Sequence, residues 1–125
     1  YRLAETYLIG AEANFMLNDP GKALDYVNAV RSRANAAPIA SVDLEAILEE
    51  RARELAFEGQ RWFTLKRTGK LYEYLIDHMN NDNMNESYPE GNPKDILQQY
   101  MGNWPIPTQQ IDLLAPGYPQ NDGYN

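Results

Sequence analysis

The stretch from Glu49 to Lys70, read with the few residues before it, constrains the fold most, because it places charges and large apolar residues in one helical run. At 3.6 residues per turn its apolar residues share one face: Leu44, Ile47, Leu48, Ala52 and Leu55. A charged stripe with spacings of three or four residues borders that face: Arg51, Glu54, Glu58 and Arg61. Charges beside a core are costly unless they are paired, so we predict a structural ion network. Gly59 predicts a bend or a restart of the helix.

The glutamates of this stretch could instead serve a metal or an acid–base reaction. Helical di-iron sites pair Glu with His on facing helices, but His78 is the only histidine and belongs to no such pair. Glu54 and Glu58 would lie about 6 Å apart on one helix face, whereas glycosidase carboxylates flank a cleft. Neighbouring arginines would also neutralise Glu50, Glu54 and Glu58. We therefore predict no catalytic residue, no metal ligand and no cofactor.

Residues 1–36 predict two antiparallel helices. The first runs from Arg2 to Leu17, and the second runs from Pro20 to about Ala34. Asp19 between them can cap the second helix, whose first position suits proline. The pair is typical of one tetratricopeptide unit, a repeat that buries its apolar face only by stacking on others. We therefore expect the chain to be a fragment of a longer protein.

The middle of the chain predicts more helix and then a loop. Ser41 or Asp43 can cap the helical region 42–79, which closes with a short helix from Leu71. Residues 80–103 are rich in Asn, Asp, Gly and Pro, which indicates a surface loop. A single turn over residues 96–100 would end that loop.

The last region, residues 104–125, predicts an extended strap and a tail. Pro105 and Pro107 exclude a continuous helix and force extended backbone. Thr108 could cap one helical turn that runs through Leu113. Together these patterns predict an all-α chain that forms a single region and ends in a proline-containing strap.

Composition excludes several classes of function. The chain has 125 residues, enough for one modest core, and carries 18 acidic and 11 basic residues. Its formal charge of -7 argues against nucleic-acid binding and gives no attraction to anionic lipid. There is no cysteine, and no apolar run approaches the ~20 residues that span a bilayer.

Three segments resemble the SusD/RagB family and come in that family's order. They are the helix pair RLAETYLIGAEANFML and KALDYVNAVRSRAN, the run ERARELAFEGQRWFTLKRTGKL, and the tail PIPTQQIDLLAPGYPQNDGYN. The resemblance covers nearly the whole chain, and the three segments together are specific. Thr64, Gln110 and Asp122 depart from the family pattern, which usually has Asp, often Glu and frequently Pro there.

The resemblance implies a fold and a function. Family members are surface lipoproteins of Bacteroidetes outer membranes that bind oligosaccharides or polysaccharides without cleaving them and cap a SusC-like TonB-dependent transporter. A lipid anchor would then lie outside this chain. The scaffold would consist of tetratricopeptide-like helix pairs, and Trp62 and Phe63 would belong to its core. A tetratricopeptide-type module that binds proteins is the alternative, and the strap and the QNDGY ending favour the first function.

Candidates for ligand contact are the aromatic residues near the polar loop. Aromatic faces pack against the apolar side of sugar rings, so Tyr88, Tyr100 and Trp104 are the candidates. Tyr118 and Tyr124 are expected to anchor the tail instead. The resemblance itself transfers no binding role to any of these positions.

Overall fold

The computed structural model describes residues 2–78, 97–114 and 116–124. In these ranges every regular element is helical, which confirms the all-α prediction. The elements are α1 (Leu3–Met16), α2 (Pro20–Arg33), α3 (Leu44–Glu54), α4 (Arg61–Arg67), α5 (Leu71–His78), a 3₁₀ turn (Gln99–Gly102) and α6 (Thr108–Leu113). The chain divides into two compact units, residues 1–65 and residues 66–125.

In the first unit, α1 and α2 form the predicted antiparallel pair. Asn18 ends α1 with a left-handed backbone (φ 60°), a conformation that Asn tolerates better than most residues. The Asp19 carboxylate then accepts a hydrogen bond from the Lys22 amide at 3.1 Å, and Pro20 takes the first helical position. The turn therefore follows from local chemistry alone.

The core of the first unit lies where α1, α2 and α3 meet. Leu8, Val27 and Ile47, one from each helix, are fully buried. Gly10 lets the two helices of the pair approach, since an added Cβ would lie 3.3 Å from the Tyr26 ring. That ring packs edge-on against Tyr7, with the ring centroids 5.5 Å apart.

The connection from α3 to α4 confirms the restart near Gly59. Asp43, not Ser41, caps α3, and its carboxylate accepts from the Ala46 amide at 2.7 Å. The turn that follows α3 contains two residues with positive φ, Phe57 at 65° and Gly59 at 73°.

The prediction that Trp62 and Phe63 belong to the core is wrong. Trp62 is 39% exposed and Phe63 is 72% exposed. The seven-residue helix α4 buries only Thr64 and Leu65. Because successive helical residues are about 100° apart, positions 62 and 63 fall on the other sides of so short a helix.

The outer side of α1 is apolar but uncovered in the first unit. Ile9 and Met16, seven residues apart, are exposed on one face of α1, and Leu3 and Leu17 are exposed near its two ends. On another face, α1 and α2 enclose an apolar groove of about 240 Å³ lined by Leu3, Tyr7 and Val30 among others. Exposed apolar patches of this kind commonly contact a partner.

In the second unit, α5 buries Leu71 and Tyr74 and contacts the 3₁₀ turn. The predicted loop lies outside the described residues up to residue 96. The turn predicted over residues 96–100 is observed with shifted bounds, as Gln99–Gly102. Thr108 does not cap α6, because Pro107 occupies the cap position and makes no side-chain cap bond. The extended backbone at Pro107, which the proline ring favours, moves the start of the helix by one residue.

Candidate functional site

The strap, residues 103–107, is held by side chains of the tail, residues 116–124. The Gln120 side chain forms hydrogen bonds with both backbone groups of Ile106. Its Oε1 accepts from the Ile106 N–H at 2.7 Å, and its Nε2 donates to the Ile106 carbonyl at 2.8 Å. The prolines on either side of Ile106 have no N–H to donate. Gln120 therefore accepts from the single backbone N–H that lies between the two prolines.

Two further contacts hold the strap on the other side of Pro105. Asn121 Nδ2 donates to the Trp104 carbonyl at 2.6 Å, and the Tyr124 hydroxyl donates to the Asn103 carbonyl at 2.9 Å. The backbone is thus bonded before, at and after the tryptophan. The Trp104 side chain nevertheless points outward, and the residue is 75% exposed.

Tyr100, another candidate, is engaged in packing. Its ring meets Tyr124 edge-on, with centroids 5.1 Å apart, and is half-buried. Gly123 (φ 84°) lies directly against the same ring, so close that an added Cβ would overlap it. Tyr124 is thus confirmed as an anchor of the tail, whereas Tyr118 is 47% exposed. Tyr88 lies outside the described residues.

An exposed indole on a fixed backbone is a surface suited to stacking. Its face is apolar, flat and carries a negative quadrupole, which attracts the polarised C–H bonds of a sugar ring. Hydrogen-bonding partners for hydroxyl groups stand nearby in sequence, at Asn103, Gln109 and Gln110, which are exposed. Of the sequence-derived candidates that the structure describes, Trp104 alone combines exposure with a held backbone.

The charged stripe is organised around Glu54. Its side chain is 7% exposed and accepts from Arg2 at 2.6 Å and from Arg33 at 2.7 and 2.8 Å. Burial, the largest influence, raises the pKa of Glu54, but the hydrogen bonds and charges of Arg2 and Arg33 outweigh it. The resulting pKa is below the ordinary value for glutamate.

The other three residues of the predicted network lie on separate elements. Glu58 is in the turn and binds the Arg2 guanidinium at 2.7 Å, which together with Glu54 raises the pKa of Arg2. Arg61, at the start of α4, donates to the Leu48 carbonyl at 2.6 Å. Arg51 is buried in α3, with the Thr64 hydroxyl 3.4 Å away. Because α3 ends at Glu54 and α4 begins at Arg61, the four do not share one continuous helix face.

A second cluster of charges was not predicted from the sequence. Glu50 is buried and accepts from Arg31 of α2 at 2.6 Å and from Arg53 at 2.9 Å. Arg31 also donates to the Ala37 carbonyl and so secures the linker after α2. Arg31 and Arg33 lie in the last turn of α2, where the helix dipole favours basic residues, but that preference does not indicate which carboxylate they bind.

Both clusters consist of carboxylates that are bound by arginines. Within residues 2–78, 97–114 and 116–124, no three Asp, Glu or His side chains are grouped so as to hold a metal ion. The buried carboxylates of Glu50 and Glu54 each face two arginines, as in a structural ion pair. Over the same ranges, no helix is both long enough and apolar enough to cross a membrane.

The described residues define an all-α protein whose first unit contains an antiparallel, tetratricopeptide-like helix pair and whose second unit contains an extended, proline-bearing segment. The chain belongs to the SusD family, whose model matches residues 1–124. A SusD-like protein of Formosa agariphila is 33% identical over 135 residues, which cover 99% of this chain and 24% of that relative.

Two further relatives come from the genus Bacteroides. The starch-binding protein SusD of Bacteroides thetaiotaomicron is 32% identical over 127 residues, covering 99% of this chain and 21% of its own. A SusD-like protein of Bacteroides ovatus is 37% identical over 84 residues, covering 64% of this chain and 15% of its own. The chain thus spans a quarter or less of the length of these relatives. No solved structure matches it.

Proposed function

We propose that the protein binds an oligosaccharide or polysaccharide at the surface of the outer membrane and delivers it, uncleaved, to a TonB-dependent transporter. Membership of the SusD family supports the binding, and one relative is named a starch-binding protein. The membrane attachment in this proposal is a lipid anchor outside the 125 residues.

The observation that carries the binding role is the exposed Trp104 indole on its held strap. Burial of a side chain this large would stabilise the fold, so 75% exposure of it leaves a face free for a ligand. A tryptophan face offers a large, flat apolar surface on which a sugar ring can stack.

The electrostatics of the glutamates support binding without cleavage. A glycosidase needs one carboxylic acid whose pKa is raised so that it can donate a proton at neutral pH. The pKa of Glu54 is lowered instead, because two arginines oppose the effect of its burial. The Glu50 carboxylate is bound by two arginines, Arg31 and Arg53.

Titration calorimetry of the purified protein against oligosaccharides tests this function. The Trp104→Ala variant is expected to bind at least about threefold more weakly, the loss of one aromatic contact. Trp62→Ala is the matched control, since Trp62 is also exposed but belongs to α4 of the first unit. Equal binding by the Trp104 variant and the wild type would remove the basis of the proposal.

Two further measurements test the other parts of the proposal. Release of new reducing ends from a bound glycan would contradict binding without cleavage. Delivery requires a complex, so the protein is expected to copurify with a TonB-dependent transporter from solubilised outer membranes. Absence of the transporter from such preparations would contradict that part alone.

A protein-binding module is the second candidate, and the exposed apolar residues of α1 favour it. Ile9 and Met16 are both more than half exposed, and another face of the same helix lines an apolar groove. Exposed apolar patches next to grooves commonly bind a partner helix. An Ile9→Lys variant separates the candidates, because it would disrupt a protein complex and leave glycan binding unchanged.

A further inference from the structure

We propose that Gln120 and Asn121 are positioning residues that hold Trp104 as a stacking platform for a neutral sugar ring. The inference rests on the proposed function, since it concerns the same site. It adds two residues that do not touch the ligand and a restriction on the charge of the glycan.

The strap depends on the tail for its backbone hydrogen bonds. Between Trp104 and Thr108, only Ile106 carries an N–H, because the other two residues are prolines. Gln120 binds both the N–H and the carbonyl of Ile106, and its Oε1 also accepts from the Asn121 N–H at 2.9 Å. One side chain therefore fixes the strap and aligns the neighbouring Asn121.

Asn121 then completes the support at the tryptophan itself. Its Nδ2 donates to the Trp104 carbonyl at 2.6 Å, while Pro105 fixes the next φ angle near -65°. With the backbone held, the indole loses only its side-chain rotations when a ligand stacks on it. Preorganisation of this kind increases affinity, because less conformational entropy is lost on binding.

The same pair of amide hydrogen bonds occurs in the first unit, between Asn28 and Ile39. Asn28 Oδ1 accepts from the Ile39 N–H at 2.9 Å, and Asn28 Nδ2 donates to the Ile39 carbonyl at 3.1 Å. There it ties the linker after α2 to the helix pair. Asn28 is therefore a control for removing such a pair of bonds without affecting Trp104.

The charges of residues 97–125, which include the strap and the tail, indicate whether the bound sugar is neutral or anionic. Residues 97–125 contain no Lys and no Arg, and their charged side chains are Asp112 and Asp122. Carboxylate and sulfate groups are recognised mainly by charged hydrogen bonds from Arg or Lys. A sugar ring stacked on Trp104 is therefore expected to be neutral.

The first experiment needs no ligand. In a Trp62→Phe background Trp104 is the single tryptophan, and its fluorescence anisotropy reports the motion of the indole. Gln120→Ala is expected to lower the anisotropy while the far-ultraviolet circular dichroism stays unchanged, and Asn28→Ala is expected to leave the anisotropy as it was. Unchanged anisotropy in the Gln120→Ala and Asn121→Ala variants would overturn the positioning role.

The second experiment measures binding to a panel of neutral glucans, galactans, mannans and xylans and of anionic oligogalacturonates and sulfated galactans. Gln120→Ala is expected to weaken neutral-glycan binding about three- to tenfold, and Trp104→Ala at least as much. Binding of anionic glycans in preference to neutral ones would overturn the restriction on charge.

The outcomes separate this inference from the function on which it rests. Loss of binding in Trp104→Ala with none in Gln120→Ala would contradict the positioning role and keep the binding role of the strap. Failure of the wild type to bind any glycan of the panel would contradict the proposed function. The anisotropy measurement would still test the positioning role, because it needs no ligand.

Discussion

Replacing Glu54 by Gln tests whether the charged residues of α3 stabilise the fold. The carboxylate is 7% exposed and accepts three hydrogen bonds from Arg2 and Arg33. The amide keeps the shape of the side chain but loses the charge and presents an NH₂ group to a guanidinium. We expect the free energy of unfolding to fall and α1, α2 and α3 to loosen together.

The magnitude follows from the exposure of the partners. Charged hydrogen bonds to a buried group contribute about 1.5–3 kcal/mol each, and exposed pairs about 0–1 kcal/mol. Arg2 and Arg33 are 40% and 62% exposed, so water hydrates them once the carboxylate is gone. We therefore expect a total loss of roughly 1–3 kcal/mol rather than the sum of three buried bonds.

The stability lost in the Glu54→Gln variant also depends on pH. In the unfolded chain Glu54 titrates near its ordinary value of 4.5, and in the folded protein its pKa is lower. A lowered folded pKa means that the contribution is fully present above pH 4.5 and is lost as the pH falls through the folded pKa. The difference between wild type and variant should therefore shrink below pH 4.5.

Urea unfolding followed by circular dichroism at 222 nm measures both effects. Glu49→Gln is the matched control, since Glu49 lies on the same helix, is 40% exposed and meets Arg53 at 3.4 Å. It is expected to cost less than about 0.5 kcal/mol. Equal losses in the two variants would refute the reasoning, and unchanged stability of Glu54→Gln with loss of glycan binding would favour a functional role.

Two further predictions concern the tail and the outer side of α1. Gly123→Ala combines a positive φ with an added Cβ about 2.5 Å from the Tyr100 ring. It should lower the melting temperature more than Gly117→Ala, where φ is also positive but no described atom lies within 4 Å of the added Cβ. Equal effects of the two substitutions would show that only the backbone angle matters. The exposed apolar residues of α1 should make the chain self-associate, and Ile9→Lys should weaken that association while changing stability by less than about 0.5 kcal/mol; sedimentation of a wild type that stays monomeric at every concentration would contradict this.

The helices and their limits could be predicted because their causes are local. The carboxylates of Asp19 and Asp43 each accept from the backbone N–H three residues ahead. A capping residue directly before apolar residues at helical spacing is therefore enough to predict the start of a helix. The prolines at 105 and 107 restrict their own backbone in the same way. Trp104 was a candidate because it is an aromatic residue near the polar loop.

The partners of the buried charges needed the tertiary structure. The charged stripe was visible from the spacing of Glu54 and its neighbours, yet Glu54 pairs with Arg2 and Arg33, 52 and 21 residues away. Which guanidinium reaches a carboxylate depends on how α1, α2 and α3 pack, and helical spacing on α3 alone contains no information on that packing.

The exposure of Trp62 and the hydrogen bonds that hold the backbone of Trp104 also depend on the tertiary structure. An aromatic residue in an amphipathic run has equal local reason to be buried or exposed, and only the shortness of α4 and its packing through Thr64 and Leu65 place Trp62 outside. Gln120 has no sequence signal that points to Ile106, since an amide side chain can bind any backbone group within reach. Local chemistry thus determined where the helices begin and end, whereas contacts distant in sequence form only once folding has brought their segments together.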